Sequence, residues 1–176
     1  AVSGGASPSG AWVRVDPVGT VAQPEHDHSV QGSTCWVTGQ HTAGQPADAD
    51  DVDVGWVTLT SPTYDLSGAT AITLRYWKWF SNDQGTSGSQ DFWKAQVSND
   101  AGATWYTLDM SSISTNAWLP VTVNLLGLFA VPDQMIFRWQ VYDLAPEHLV
   151  EGGLDDLTLL AIWETTGVGE GLEVTL

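Results

Sequence analysis

The stretch that decides the fold is DFWKAQVSNDAGATWYTLDM, residues 91–110. Apolar and polar side chains alternate in both halves, which is the two-residue period of a β-strand. Between the halves, the letters NDAG at 99–102 have the composition of a tight turn. The segment therefore predicts an antiparallel hairpin, with one strand entering the turn from Phe92 and the other leaving it at Trp105.

The same pattern continues outward along the chain. Short alternating runs are separated about every ten residues by turns rich in Gly, Asn, Asp and Ser, and helix signals are nearly absent. About nine short strands at this spacing predict an all-β protein, a two-sheet antiparallel jelly-roll sandwich. We expect residues 1–9 to be a linker, residues 10–163 the jelly-roll domain, and residues 164–176 a linker or an added edge strand.

The composition narrows the function. The 176 residues include 21 Asp and Glu against 5 Lys and Arg, a formal net charge of −16. A negative field of this size repels nucleic acid and anionic membranes, but it is compatible with neutral ligands and with cations. The single cysteine, Cys35, excludes an intrachain disulfide. No apolar run reaches membrane-spanning length.

Strand parity predicts a ligand-binding surface. In residues 71–80, the alternation assigns Trp77 and Trp79 to the core and sends their neighbours to the opposite, outward face. Aromatic rings stack on sugar rings, while Lys, Arg and Gln hydrogen-bond hydroxyls or carboxylates. The residues predicted to line a glycan site are Tyr76, Lys78, Phe80, Lys94, Gln96, Arg138, Tyr142 and Glu151, the last beside Arg138 or Arg75. The alternative is an ordinary polar outer face whose Lys and Arg pair with acids.

Acidic residues predict a cation site. The run ADADDVDVG at 47–55 places Asp51 and Asp53 at alternate positions just before a strand. Asp155 shares its parity with Leu157, so it is expected to point inward, where a carboxylate needs a partner or a cation. Hard oxygen ligands suit Ca²⁺, which would bridge the loop to Asp155, with Asp27 as an extra ligand. The alternative is a solvated acidic loop, with Asp155 accepting backbone N–H bonds.

Catalytic motifs are absent from the sequence: it has no GxSxG, no P-loop and no GxGxxG. Glu151 and Asp155 share a strand face, and two carboxyl groups are the minimum for glycoside hydrolysis. In so acidic a chain such a pair is expected by chance. The sequence therefore predicts a protein that is not an enzyme, with a carboxylate-pair glycosidase as the minor alternative.

Four segments together resemble a known bacterial module. They are DPVGTVAQPEHDHSVQGSTCWVTGQ at 16–40, DDVDVGWVTLTSPTYDLSGATAITLRYWKWFSN at 50–82, FWKAQVSNDAGATW at 92–105 and GGLDDLTLLAI at 152–162. They look like the MAM-like jelly-roll domains of secreted bacterial multidomain proteins. Such domains include those appended to zinc metallopeptidases of the immune inhibitor A and carboxypeptidase types. The resemblance covers roughly residues 10–163.

The resemblance carries several implications. It implies a two-sheet sandwich, an extracellular setting and, often, a structural Ca²⁺ held by loop and last-strand acids, which makes Asp51, Asp53 and Asp155 ligand candidates. The sequence departs from the pattern at DVDVGW, where such modules more often have DVDGG. It also departs at Lys94 and Gln96, where apolar or acidic residues are more usual, which suggests a face altered for its own ligand.

These observations predict a non-catalytic carbohydrate-binding module of a secreted protein, with structural calcium. Its expected partners are a polysaccharide or glycan and the neighbouring domains of a larger chain, with no nucleic acid and no membrane. The alternative is a structural, adhesion or docking module beside a secreted metallopeptidase, without sugar binding.

Overall fold

The computed structural model describes residues 1–85, 90–128, 133–144, 148–164 and 169–175. Within these ranges the regular structure is β, and no helix there is long and apolar enough to cross a membrane. The eleven strands are β1 Val2–Gly5, β2 Trp12–Val15, β3 Cys35–Thr38, β4 Gly55–Thr60, β5 Ala71–Gln84, β6 Phe92–Ser98, β7 Tyr106–Ser111, β8 Leu119–Asn124, β9 Ile136–Asp143, β10 Leu149–Glu164 and β11 Gly169–Thr175.

Two antiparallel sheets form a sandwich. The five-stranded sheet has the order β1-β4-β9-β6-β7, and the six-stranded sheet has the order β2-β3-β10-β5-β8, with β11 paired to β10. This confirms the predicted two-sheet jelly-roll sandwich. The hairpin predicted for residues 91–110 is β6–β7, with a register shift between Ala95 and Gln96.

Large aromatic side chains fill the space between the sheets. Trp93 and Trp139 are buried, as the alternation of β6 and β9 predicts. Trp12 meets Trp93 edge to face at 6.1 Å between ring centroids, and Tyr76 meets Trp139 in the same way at 5.9 Å. Edge-to-face pairs of this kind add about 1 kcal/mol each to the energy of burying the rings.

The inward face of β5 is the opposite of the predicted one. Tyr76 and Phe80 are only 1% exposed and belong to the core, whereas Trp77 and Trp79 lie half-buried on the outer side of the six-stranded sheet. Alternation identifies two faces but not which of them is inside, and in β5 both faces carry aromatic rings. The outer rings are accommodated because a loop covers them.

The predicted N-terminal linker is part of the five-stranded sheet. Strand β1 pairs with β4 from Val2 to Gly5, so the sheet begins before residue 10. A Cβ at Gly5, where φ is +146°, would lie 2.2 Å from the carbonyl oxygen of Trp56, so this close approach requires glycine. At the other end, β11 lies within the segment expected to be a linker or an added edge strand.

Candidate functional site

The outer surface of the six-stranded sheet, called here the covered face, lies beneath the loop of residues 16–34. The ring of His28 stacks on Trp77 at 3.6 Å between centroids. Trp79 Nε1 donates to the carbonyl oxygen of Ala22 at 2.7 Å, and Trp118 Nε1 donates to that of His26 at 3.1 Å. These contacts occupy the tryptophan rings, so the covered face does not offer them to a ligand.

Two aspartates on β10 anchor the same loop. Asp155 Oδ2 accepts hydrogen bonds from the backbone N–H groups of His28 at 2.8 Å and Ser29 at 3.2 Å. Asp156 contacts His28 Nδ1 and accepts a bond from Ser29 Oγ, both at 2.7 Å. Partial burial favours the neutral form of Asp156, but the bonds from His28 and Ser29 outweigh it and lower the pKa of this carboxyl.

The outer surface of the five-stranded sheet, called here the open face, carries three cross-strand rows. The first, the aromatic row, consists of Trp56 on β4, Tyr142 on β9 and Phe92 on β6, which are paired directly in the sheet register. Tyr142 stacks on Phe92 at 4.2 Å and on Trp56 at 5.9 Å between centroids. Trp56 is 40% exposed, so this row presents ring surface to solvent.

The second row is polar. Thr58, Gln140 and Lys94 are paired across β4, β9 and β6, and Met110 of β7 follows Lys94. Gln140 Nε2 donates to Thr58 Oγ1 at 3.1 Å, and Gln140 Oε1 is buried without a hydrogen-bond donor among the described residues. No described carboxylate lies within 4.0 Å of the Lys94 ammonium, so its charge is available to a ligand.

The third row consists of Thr60 on β4, Arg138 on β9 and Gln96 on β6, and it positions an arginine. Arg138 donates from Nε and from a terminal nitrogen to Gln96 Oε1, at 2.9 and 2.6 Å. Its guanidinium carbon lies 3.9 Å from the ring centroid of Trp105, a cation–π arrangement. Burial lowers the pKa of Arg138. The Gln96 amide and the Trp105 ring hold the Arg138 guanidinium without neutralising its charge. Arg138 is therefore a second cation, besides Lys94, that faces outward.

The predicted glycan-site residues therefore divide between two environments. Four of them share the open face: Lys94, Gln96, Arg138 and Tyr142. Tyr76 and Phe80 are in the core, which corrects their predicted outward position.

Lys78 also faces the interior side of β5. Its Nζ forms an ion pair with Asp109 Oδ2 of β7 at 2.7 Å, and Tyr76 Oη donates to the same oxygen at 3.3 Å. The pair links β5 of the six-stranded sheet to β7, an edge strand of the five-stranded sheet. Lys78 is thus a structural contact between sheets, and its predicted place on a ligand face is wrong.

Glu151 is likewise misplaced by the sequence prediction. It is buried, and its carboxyl accepts a hydrogen bond from Thr38 Oγ1 at 2.6 Å, so it is not beside Arg138 or Arg75. Burial raises the pKa of Glu151 well above its usual range.

The sequence prediction omitted several open-face residues: Trp56, Phe92, Trp105 and Gln140. Phe92 and Gln140 share strand parity with Lys94 and Arg138, respectively, so alternation contained the signal for both. Trp56 becomes part of the site through the β4–β9 register, which the sequence does not specify.

The predicted cation ligands are dispersed. Among the described residues, no three of Asp27, Asp51, Asp53 and Asp155 bring ligand atoms within 4.8 Å of one another. Asp51 accepts a bond from the Val150 N–H at 3.1 Å, and burial raises the pKa of Asp51 to about 7.

Asp53 and Asp155 show why the predicted bridge fails. Asp53 Oδ2 accepts a bond from Ser9 Oγ at 3.0 Å, whereas Asp155 points to the covered face. The β10 register shifts between Asp155 and Thr158, and Asp156 has a φ of +47°. An extra residue at this bulge reverses the parity that the sequence argument assumed. The predicted cation bridge from the Asp51–Asp53 loop to Asp155 is therefore wrong.

No family model matches the chain, and no curated protein matches its sequence. Among solved structures it is similar to the carbohydrate-binding module TmCBM61 in complex with β-1,4-galactotriose, with 12% identity, 90% of this chain and 86% of that chain covered, and a TM-score of 0.53. It also matches the C-terminal family 22 carbohydrate-binding module of Clostridium thermocellum Xyn10B, with 10% identity, 89% and 83% covered, and a TM-score of 0.46. A third match is the K3 cleaved adhesin domain of Lys-gingipain from Porphyromonas gingivalis, with 16% identity, 84% and 90% covered, and a TM-score of 0.46. The first likeness shows the fold, and the resemblance to MAM-like modules stays a prediction.

Proposed function

We propose that this domain is a non-catalytic carbohydrate-binding module that holds a polysaccharide or glycan on the open face. One observation carries the proposal: an uncovered sheet surface combines the aromatic row with two cations, Lys94 and Arg138, that no described carboxylate pairs. Aromatic faces stack on sugar rings, and charged donors hydrogen-bond hydroxyl groups.

The dimensions of the face support this role. Neighbouring strands lie about 4.8 Å apart, so a row across β4, β9 and β6 extends roughly 10 Å. The three rings of Trp56, Tyr142 and Phe92 therefore form an elongated apolar strip, flanked on one side by the polar rows. A strip of this shape matches an extended chain of sugar units better than a compact, enclosed ligand.

The chemistry of the face favours binding over hydrolysis. Glycoside hydrolysis requires two suitably placed carboxyl groups. The three rows contain nine residues of the central strands β4, β9 and β6, none of which is acidic: Trp56, Thr58, Thr60, Arg138, Gln140, Tyr142, Phe92, Lys94 and Gln96. Glu151, the acid of the alternative glycosidase hypothesis, is buried away from this surface.

The proposal also includes the kind of protein to which the domain belongs. The resemblance to MAM-like modules supports a secreted protein in which this domain accompanies others.

Of the calcium prediction, we retain a calcium ion bound beside Asp27 and Asp155. Asp27 Oδ2 is buried without a hydrogen bond among the described residues, and burial, with Asp155 and Asp156, raises the pKa of Asp27. A higher melting temperature in Ca²⁺ than in EGTA, absent in Asp27→Asn, is the expected result.

The sheet-face proposal is tested by glycan binding of purified variants. Titration calorimetry and affinity electrophoresis would begin with β-1,4-galactan, because TmCBM61 was solved with β-1,4-galactotriose, and would continue with neutral and acidic polysaccharides. We expect Trp56→Ala and Tyr142→Ala each to weaken binding about tenfold or more, since a central aromatic anchor contributes roughly 2 kcal/mol. Circular dichroism would verify the fold.

Val30→Ala is the matched control, because Val30 is fully exposed on the loop over the covered face. It should bind as the unaltered protein does. If both aromatic variants bind normally, the open face is not the site. If the intact domain binds no glycan at all, the carbohydrate proposal fails and the structural or docking module becomes the better account.

A further inference from the structure

Three side chains meet in the interior at one end of the sandwich: Asp91 just before β6, Asp143 at the end of β9 and His148 just before β10. Asp91 and Asp143 continue the inward parity of Trp93 and Val141 on their strands. Because Phe92 pairs with Tyr142, the same register places Asp91 opposite Asp143. His148 continues the inward parity of Val150 on β10.

These groups are close together and shielded from solvent. One oxygen of each carboxyl and one ring nitrogen of His148 lie within 4.8 Å of one another. His148 Nδ1 is 3.3 Å from Asp91 Oδ2, and the three residues are 0% to 5% exposed. The spacing is that of groups gathered around a common point.

Backbone N–H groups donate to only one oxygen of each of the two carboxyl groups. The Leu144 N–H donates to Asp91 Oδ1 at 2.7 Å, and the Val54 N–H donates to Asp143 Oδ2 at 2.9 Å. The other two oxygens, Asp91 Oδ2 and Asp143 Oδ1, are buried and accept no hydrogen bond from any described residue. Native interiors rarely leave such atoms unused.

The charge balance of the cluster is also incomplete. Two carboxylates directly opposite each other on neighbouring strands repel. No Lys or Arg lies within 4.0 Å of either among the described residues. Burying uncompensated charge is costly, and a bound dication removes both the repulsion and the missing contacts.

We propose that Asp91, Asp143 and His148 form a binding site for a divalent transition-metal ion, with Zn²⁺ as the best match. Imidazole nitrogen and carboxylate oxygen are typical Zn²⁺ ligands, and three protein ligands leave a fourth position of the tetrahedron for water or a backbone oxygen. Calcium fits this set poorly, because it takes six to eight oxygen ligands. The site is distinct from the Asp27–Asp155 region.

Such an ion would have a structural role. Asp91 directly precedes Phe92, and Asp143 directly follows Tyr142, so the ion would tie β6 to β9 at the end where the aromatic row begins. Its binding can be measured without any sugar. Failure of the metal site and failure of the glycan proposal are therefore distinguishable.

The test is Zn²⁺ binding by the whole domain after treatment with EDTA and dialysis. Titration against a chromophoric chelator should give one Zn²⁺ per chain, and Co²⁺ should give the visible absorption of a low-symmetry site. We expect Asp143→Asn and His148→Gln to weaken Zn²⁺ binding more than about 100-fold, because losing even outer-shell partners costs roughly 10–100-fold. Asp133→Asn removes the same charge from an exposed position and should leave the affinity unchanged.

Thermal melting gives a second readout that also reports folding. In EDTA, Asp143→Asn should melt at or above the temperature of the unaltered protein, because one repelling charge is gone. In Zn²⁺ the order should reverse, since only the unaltered protein gains stability. The assignment is overturned if the unaltered domain takes up no stoichiometric Zn²⁺, if the ligand variants bind it equally well, or if Ca²⁺ at the same concentration displaces Zn²⁺ from the site.

Discussion

The two outer faces of this sandwich have similar residues and opposite roles. Both carry tryptophans beside charged side chains, yet the covered face uses them to hold the loop of residues 16–34, while the open face leaves them uncovered. On the covered face the indole N–H groups of Trp79 and Trp118 already have carbonyl partners, and Asp155 already has donors. Composition alone therefore does not identify a binding surface; the availability of its groups does.

The comparison also separates two kinds of lysine. Lys78 lies between the sheets and is neutralised by Asp109, whereas Lys94 lies on the open face without a described carboxylate nearby. The sequence treats them alike, since each sits inside a strand beside aromatic residues. The following experiments test this division, from the largest expected effect to the smallest.

Asp155→Ala should produce the largest change, a loss of about 3 kcal/mol in the free energy of unfolding. It removes an acceptor for two backbone N–H groups of the covering loop, and each bond to a charged group contributes roughly 1.5–3 kcal/mol. Urea unfolding would measure it. Asp65→Ala is the control, because Asp65 accepts similar bonds from Ser67 in an exposed turn and should cost far less. Equal effects would mean that the loop is not anchored there.

Lys78→Met should lower the free energy of unfolding by about 2 kcal/mol and leave glycan affinity unchanged. Methionine keeps the length of the apolar stem but leaves Asp109 without its ion pair, where the two side chains are only 11% and 20% exposed. Denaturant unfolding together with calorimetric titration would check both parts. Weaker glycan binding at unchanged stability would return Lys78 to the ligand site.

Lys94→Met should show the reverse behaviour. We expect glycan binding to weaken about tenfold, because a hydrogen bond from a charged donor contributes roughly 1.5 kcal/mol. Stability should stay within about 0.5 kcal/mol, as is usual for surface changes away from special contacts. The two Lys→Met variants serve as controls for each other. If Lys94→Met also lowers stability by about 2 kcal/mol, the contrast between the lysines disappears.

The smallest effect concerns pH. Hydrogen bonds from His28 and Ser29 outweigh partial burial and lower the pKa of Asp156, so its contribution is present above the unfolded value of 3.8 and is lost as the pH falls through the folded value. Because this side chain is 40% exposed, the contribution should be below about 1 kcal/mol. Asp156→Asn, which tolerates the positive φ, should unfold more easily at pH 7, and its difference from the unaltered protein should narrow steadily as the pH falls below 3.8. A difference that does not narrow below that pH would contradict this origin.

The sequence contained most of the fold. The two-residue period and the turn at 99–102 predict the β6–β7 hairpin, and the inward positions of Trp93 and Trp139 follow from the same alternation. These features are local, since a strand's side chains alternate whatever it packs against. Alternation also placed half of the predicted glycan-site residues, those on β6 and β9, on the correct face, because each of these strands has one clearly apolar side.

The remaining half depended on contacts between distant segments. In β5 both sides are aromatic, so only the loop of residues 16–34 decides that Trp77 lies outside and Tyr76 inside. In β10 a bulge reverses the parity after Asp155, and a single inserted residue moves every later side chain to the other face.

The sequence by itself thus determined the strands, the acidic character and the residue types able to stack on and hydrogen-bond a ligand. The tertiary structure alone decided which face stays open, which lysine is neutralised, and that Asp91, Asp143 and His148 converge. The physical reason is the range of the interactions. Alternation and turn chemistry act over a few residues. The packing of a loop over a sheet, the register between strands and the pairing of charges join residues that are tens of positions apart in the chain.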